Sequence, residues 1–436
     1  MNAVEATADE TIATLRLPGN GTLRLRGDGR LEWSVGGRPV KSGDGIASLL
    51  TDVLRTGDTA GIEVSDGRVR LQSAETTGAS GSEADADGAA RETAIPVDQT
   101  NLSIIVDNDT VVKLVSAWGS ADRAAAILAR LEGSGIAPEF RGAVHWELPG
   151  RGEATIAIAT EFLGGASDGW TWAADDVLAF LGADGSTEPV WPTAVGQVVA
   201  RLHATLGAKA PTGLVSSAEV AARANETLDL ALAAAAGTDT AARLTARRSA
   251  LDAALRGPAR DLALPLFTAH GDLHVGQLLR RPADDPAAPE SYRLIDFDGA
   301  PQTTSDAVEP EVPAAVDVAH LLTSIDLVGS VVQRRLGAAD SRATEWAARA
   351  RTQALTAYRR TLDELGASLL GDDRAAAERL LAMLEVEQFA REILYAVRYL
   401  PRWLYAPDGA LTARFEPTPD QEDPPWTPPA SPTISD

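Results

Sequence analysis

The sequence predicts an α+β fold in two parts, β-rich to about residue 164 and mostly helical beyond it. Three observations predict it. Up to residue 72 short runs alternate apolar and polar side chains, as in Thr22-Leu23-Arg24-Leu25-Arg26 and Arg68-Val69-Arg70-Leu71-Gln72, the period of a half-buried strand. From Ile95 to about residue 164 the pattern changes to apolar strands. Beyond it the chain is Ala-rich and amphipathic, with helical stretches near 173–183, 192–206, 217–236, 239–256, 313–330, 340–366 and 373–400. Finally, 436 residues exceed one ordinary core and call for two or three domains or subdomains.

In chain order, Thr11–Leu17, Gly21–Arg26 and Arg30–Val35 read as strands. A small helix follows at Ile46–Arg55, then further strands within Gly61–Gln72. These make a small α+β cap with no catalytic cluster. Ser73–Glu92 is rich in Gly, Ala, Ser and acidic residues and reads as a flexible linker, so the cap and its linker (73–92) occupy residues 1–92. A second β subdomain, 93–164, follows. It holds a hairpin of Leu102–Val106 and Thr110–Val115 around Asp107-Asn108-Asp109, a helix from about Ser120 to Leu131, and strands Ala143–Trp146 and Thr155–Phe162. Residues 165–416 form the helical part, and 417–436, with many Pro residues, form a disordered tail.

Composition narrows the function. At 44% hydrophobic and 23% charged the chain is globular, and its net charge of −23 argues against nucleic acid and anionic membranes as partners. No apolar run reaches the roughly 20 residues of a membrane span. The N-terminus lacks a basic region followed by an apolar one, so no signal peptide is expected. The absence of Cys excludes disulfides and thiolate metal sites and fits the cytoplasm.

The most informative residues are His270-Gly271-Asp272-Leu273-His274-Val275-Gly276-Gln277 and Ile295-Asp296-Phe297-Asp298-Gly299. Phosphoryl transfer from ATP to a hydroxyl needs a base facing the nucleophile, and an amide and a carboxylate to hold cations on the phosphates. Kinases supply these as an H-x-D loop with an amide five residues after the Asp, then a D-F-G-like turn. Asp272 matches the base, and Gln277 and Asp296 match the metal ligands. Apolar Leu266-Phe267 lead in, Leu278-Leu279 can form a short strand, and Tyr292-Arg293-Leu294-Ile295 deliver Asp296.

Other motifs fit around this centre. Asp98-Gln99-Thr100-Asn101-Leu102-Ser103 stands where kinases place a phosphate-covering loop. It lacks the Gly-rich form, and a plain hairpin turn is the alternative. Thr100, Asn101 and Ser103 are its candidate ATP contacts. Lys occurs only at 41, 113 and 209, and Lys113 lies one strand later, where the nucleotide-contacting Lys belongs. Glu161-Phe162-Leu163 form the adenine hinge. On the following helix only Asp122 is available early as an acid for Lys113, and it can equally serve the helix N-terminus. His203 reads as a core histidine and Asp317 as an anchor of the catalytic loop.

His270–Gln277 with Ile295–Gly299, the Gln99–Ser103 loop, Ser167-Asp168-Gly169-Trp170 and Asp317-Val318-Ala319 resemble the maltokinase-like kinases of actinobacteria. These are relatives of aminoglycoside phosphotransferases with an added N-terminal cap. The resemblance spans roughly residues 10–412. It implies a bilobal, protein-kinase-like fold with a β-rich cap, an intermediate nucleotide-binding subdomain and a helical C-lobe. ATP as donor, Mg²⁺ (one or two ions) and a sugar acceptor come with it.

The stretch from Glu387 to Tyr405 departs from maltokinases and is similar to the signature of the related glucosamine kinases. Glu385, Gln388, Glu392, Tyr395 and Tyr399 share one helical face, with Glu387 just off it and Trp403 placed to stack on a sugar. Hydroxyls and a C2 ammonium suit such groups. Glu387, Gln388, Glu392, Trp403, Asp272 and Asp298 are therefore the substrate-binding candidates. The resemblance implies phosphorylation of D-glucosamine on its primary 6-hydroxyl by a cytoplasmic monomer or weak homo-oligomer. Maltose is the nearest rival acceptor and an aminoglycoside a further one. An ATP-binding pseudokinase is the rival of another class, and the intact Asp272, Gln277 and Asp296 argue against it.

Overall fold

The computed structural model describes residues 7–74, 91–95, 101–182, 187–299, 311–337, 341–419, 421 and 423–426. It divides into two compact units, Met1–Gly165 with Arg293–Asp298 and Ala166–Tyr292 with Gly299–Asp436.

The first unit opens with β1 (Thr11–Leu17), β2 (Gly21–Arg26), β3 (Leu31–Val35), β4 (Arg38–Pro39), α1 (Ile46–Thr56) and β5 (Glu63–Val64). The strands form an antiparallel sheet in the order β4-β3-β2-β1-β5. The alternation in β1 and β2 puts Leu15, Leu17, Leu23 and Leu25 on the buried face. Gly19 and Asn20 make the β1–β2 turn at positive φ, a region those residue types tolerate.

A second sheet follows, formed by β6 (Arg68–Ser73), β7 (Glu92–Ala94), β8 (Leu102–Val106), β9 (Thr110–Leu114), β10 (Phe140–Leu148) and β11 (Gly152–Glu161), with α2 (Asp122–Arg130) between β9 and β10. Its order is β6-β10-β11-β9-β8-β7. The β8–β9 hairpin turns at Asp107 and Asn108, both at positive φ. α1 spans the two sheets. A Cβ on Gly21 of β2 would fall 2.5 Å from Ile46, and one on Gly142 of β10 would fall 2.9 Å from Leu54.

This pairing corrects the expected cap boundary. Arg68–Ser73 and Glu92, expected in the cap and its linker, pair with β10 and β8 in the second sheet. Alternation reports which face of a strand is buried; its partner, some 75 residues away here, is left open. Glu92 also takes the N–H groups of Gly43, Gly45 and Ser48 at 2.8–3.1 Å, which closes the N-terminus of α1. Most of the expected linker, 75–90, lies outside the described residues.

The second unit contains α3 (Gly169–Gly182), α4 (Trp191–Gly207), β12 (Thr212–Val215), α5 (Ser217–Ala234), α6 (Asp239–Ala246), α7 (Arg248–Ala254), β13 (Leu262–Phe267) and β14 (Leu278–Leu279). The chain then enters the first unit as β15 (Arg293–Leu294) and returns as β16 (Val312–Pro313), α8 (Ala315–Leu336), α9 (Ser341–Glu364), α10 (Arg374–Tyr399) and α11 (Tyr405–Arg414). Within the first unit, the Leu294 N–H donates to the Ile136 carbonyl at 2.8 Å.

α8 is the core helix. By length and composition it could cross a membrane, yet 94% of its apolar window is buried inside the protein. α9 packs on it at Gly329, where a Cβ would lie 3.0 Å from Ala347. α4 lies closer still to α9, since a Cβ on Gly196 would overlap the Ala354 carbonyl at 2.2 Å. The buried Arg351 joins Asp326 and Glu385 at 2.8 Å each and links α8, α9 and α10.

The tail departs from expectation. Residues 417–436 carry the composition of disorder, but the described part, to Trp426, is docked. Arg247, 2% exposed, pairs with Asp423 at 2.5 Å and donates to the Phe415 carbonyl at 2.9 Å. Arg243 pairs with Asp408 of α11 and reaches the Pro424 carbonyl at 3.4 Å. Two buried guanidiniums need acceptors, and the extended Pro-rich chain supplies them.

Candidate active site

The candidate catalytic loop, His270–Gln277, belongs to the second unit and hangs from α8. Asp317, fully buried, accepts the N–H groups of His270 at 2.7 Å and Gly271 at 2.9 Å, with Gly271 at φ +85°. One carboxylate thus holds both residues before Asp272. Seven residues along the same helix, Ser324 accepts the Val275 N–H at 3.0 Å. His203 of α4 bonds Asp317 at 3.0 Å and the Tyr358 hydroxyl at 2.8 Å. Burial, the largest single influence, would raise the Asp317 pKa, but the His203 hydrogen bond and the charges of His203, His270 and His320 together hold the carboxyl far below its ordinary value. The anchoring role expected of Asp317 and the core role expected of His203 are both what the structure displays.

Beyond Asp272 the loop makes a 3₁₀ turn, Val275–Gln277, and runs into β14. Asp168 starts α3 by accepting the Trp170 N–H at 2.9 Å. Trp170 then lies on the loop, stacked on His274 at 5.5 Å and edge-on to Trp403 at 5.2 Å. There is no room for a side chain at Gly169, whose Cβ would overlap the Val275 carbonyl, or at Gly276, whose Cβ would lie 2.3 Å from Trp170 Nε1. Gln277 Nε2 lies 3.4 Å from His274 Nε2. This aromatic wall of Trp170, His274 and Trp403 was legible only in part. Its signals were the Gly-Trp pair after Asp168 and the second His of the loop.

Glu392 and Gln388 of α10 belong to the same unit, Gln388 donating to Glu392 at 3.0 Å. Desolvation pushes the Glu392 carboxyl up to about 7, and the negative charge of nearby Asp272 adds to the rise. A carboxyl in that setting gains strongly from a cation. Glu387 is different. Arg223 binds it bidentately at 2.7 and 3.0 Å and Arg391 adds a third contact at 2.7 Å. Although burial opposes it, these contacts bring its pKa down. With both oxygens taken by guanidiniums, Glu387 is poorly placed to read an amine, contrary to expectation.

The remaining candidates lie in the first unit. Lys113 of β9 contacts Asp298 directly and approaches Asp296 Oδ1 at 3.8 Å. Asp296 sits at φ +63°, a strained setting for an Asp, and half of its side chain is exposed. Asp298, expected at the acceptor, is turned to Lys113. Burial raises its carboxyl pKa and Lys113 moderates the rise. Its Oδ1 is buried with no hydrogen-bond partner among the described residues. Asn101 spends its carbonyl oxygen on the N–H and hydroxyl of Ser116 at 2.9 and 3.0 Å. Ser103 lies opposite Lys113 in the β8–β9 register. Thr100, with 96–99, lies outside the described residues.

At the end of β11 the Glu161 N–H donates to the Glu139 carbonyl at 2.8 Å and the Phe162 N–H to the Asp109 carbonyl at 2.7 Å. Phe162 also accepts from the Gly164 N–H at 3.2 Å. Its backbone polar groups are therefore committed, whereas no hydrogen bond engages the Leu163 N–H among the described residues.

Known proteins extend this picture. No family model matches the chain. A glucosamine kinase of Streptacidiphilus jiangxiensis is 38% identical over 341 residues, 74% of this chain and 73% of that protein. Another, of Mycolicibacterium smegmatis, is 34% identical over 388 residues, 87% of this chain and 90% of that protein. The chain belongs to the glucosamine kinase family. A solved glucosamine kinase in complex with glucosamine, ADP and inorganic phosphate superposes with a TM-score of 0.72 at 30% identity, covering 93% of this chain and 94% of that one. The fold is thus that of a glucosamine kinase, and the family resemblance drawn from the stretch after Glu387 holds.

Proposed function

We propose that this chain transfers the γ-phosphoryl group of ATP to the 6-hydroxyl of D-glucosamine, in the cytoplasm where ATP is at hand. The observation that carries the acceptor is Glu392, a poorly hydrated carboxyl close enough to Asp272 to feel its charge. A substrate carrying both an ammonium and a hydroxyl meets both groups at once. The ammonium relieves the repulsion between the carboxylates, and the hydroxyl is left to Asp272. Asp272 accepts the hydroxyl proton as the oxygen–phosphorus bond forms and ADP departs. The loop anchors at Asp317 and Ser324 fix Asp272 in advance, so little ordering remains for the reacting complex. Trp403 offers a ring to the sugar face, and Gln388 fixes the Glu392 carboxyl.

For the nucleotide, Lys113 is the phosphate contact and Glu161–Leu163 the adenine hinge, with the Leu163 N–H as donor. Asn101 and Ser103 border the phosphates. Asp296 in the first unit and Gln277 in the second each offer a hard oxygen donor of the kind Mg²⁺ prefers. Among the described residues no group of three or more His, Asp or Glu could hold a metal by itself. Mg²⁺ at nucleotide sites is commonly held by one or two carboxylates together with the substrate phosphates. When bound, Mg²⁺ offsets the negative charge of the phosphate oxygens.

The test is Asp272→Asn. Turnover should vanish while ADP binding, measured by calorimetry, stays within about threefold, because the base acts at the transition state. Substantial residual turnover would remove Asp272 from this role.

A further inference from the structure

Lys113 needs a carboxylate to hold it, and kinases normally supply one from the helix after its strand. Here that helix is α2, with the sequence Asp-Arg-Ala-Ala-Ala-Ile-Leu-Ala-Arg. Asp122 is its sole acid, and Asp122 Oδ1 is occupied by the Thr155 N–H of β11 at 2.5 Å. The acid that touches Lys113 comes instead from the turn after β15. We infer that Asp298 is the positioning residue for Lys113, holding its ammonium at the nucleotide side of β9 in place of a helix acid. The inference deepens the kinase reading above and rests on it.

Three further observations, all inside the first unit, support this assignment. Arg123, next to Asp122 on α2, donates to the Phe297 carbonyl at 2.8 Å. The helix therefore fixes the turn through its backbone, and the turn presents Asp298. In effect α2 still controls Lys113, through an Arg–carbonyl link followed by an Asp–Lys link. Second, Asn101 Nδ2 lies 3.5 Å from Asp298 Oδ2. Asn101 is itself fixed by Ser116, so it steadies the carboxylate from the side of β8. Third, the Lys113 and Asp298 side chains are only 22% and 24% exposed, shielded enough for the pair to be held against water and salt.

Two features separate Asp298 from Asp296. Asp296 is 3.8 Å from Lys113 and half exposed, whereas Asp298 makes the direct contact and is largely shielded. Asp296 is thus left for the cation, and Asp298 serves the lysine.

The experiment uses the full chain, with kcat and KM for ATP, KM for glucosamine and calorimetric Mg-ADP binding measured in Asp298→Asn, Lys113→Met and the double variant. Asp298→Asn should lower kcat/KM for ATP roughly ten- to a hundredfold and leave the KM for glucosamine within about twofold. The double variant should be no worse than Lys113→Met alone, since both changes break one link. Asp298→Glu should recover part of the loss, and Asp122→Asn, which keeps an acceptor for Thr155, should leave the ATP parameters unchanged. Additive losses in the double variant, or an effect confined to the KM for glucosamine, would overturn the assignment. So would Asp122→Asn proving as damaging as Asp298→Asn. ADP binding reads the pair whatever the acceptor, while glucosamine turnover by the unaltered chain tests the kinase reading separately.

Discussion

Replacing Glu392 by Gln removes a charge that the fold holds at a cost and that the substrate amine offsets. In the unfolded chain this carboxyl ionises near its ordinary 4.5, and in the folded chain near 7. The folded state therefore binds the proton more tightly. The stability this group contributes is fully present below about 4.5 and is lost as the pH rises through about 7. Above pH 7 the ionised carboxylate costs roughly 3 kcal/mol, while at pH 5 the cost is under about 1 kcal/mol. The substituted amide would keep an acceptor for Gln388 and carry no charge at either pH. Urea denaturation should therefore find Glu392→Gln gaining about 2 kcal/mol on the unaltered protein between pH 5 and pH 8. The comparison cancels groups common to both proteins, such as Asp326, which burial pushes up to about 6. In the assay the same variant should lose glucosamine kcat/KM roughly ten- to a hundredfold, the scale of one charge-assisted hydrogen bond, with any activity on neutral glucose spared. A stability gap that is the same at both pH values would refute the desolvation argument. An unchanged ratio of glucosamine to glucose efficiency would refute the amine contact.

Glu387→Gln should leave that substrate ratio within twofold and cost about 1–3 kcal/mol of stability, because Glu387 serves Arg223 and Arg391; a shift in the ratio would return it to the acceptor. Asp317→Ala should cost about 3–5 kcal/mol and lower kcat sharply, since His270, Gly271 and His203 lose their shared acceptor; normal kcat in the variant would show that the loop holds itself. Ending the chain at Phe415 strips the buried Arg247 of Asp423 and should lower Tm by several degrees, whereas an unshifted Tm would mean the docked tail contributes nothing. Gly276→Ala should impair turnover through displacement of Trp170 and His274, read as a fall in kcat and a change in Trp fluorescence.

Much of this protein was legible in its sequence because its chemistry is local. Asp272 and Gln277 lie five residues apart on one loop, the strands β1 and β2 announce themselves by alternation, and β8, β10 and β11 by largely apolar runs. What escaped depends on partners far along the chain. Arg68–Ser73 shows the same alternation as a cap strand, yet β10, some 75 residues on, claims it. Nothing near Glu387 announces Arg223, which lies 164 residues earlier. The tail has the composition of disorder, and only the buried Arg243 and Arg247 reveal why part of it docks. Asp298 and Lys113 are 185 residues apart, so spacing could suggest the two ends of that pair without joining them.

The acceptor separates a glucosamine kinase from its nearest rivals. The unaltered chain, given ATP and Mg²⁺, should be offered glucosamine, glucose, maltose and an aminoglycoside at equal concentrations, with ADP release and the phosphorylated product both measured. Glucosamine should give the highest kcat/KM, with glucosamine 6-phosphate as its product. Faster turnover of maltose or of the aminoglycoside, or phosphate found on a hydroxyl other than the sixth, would contradict it.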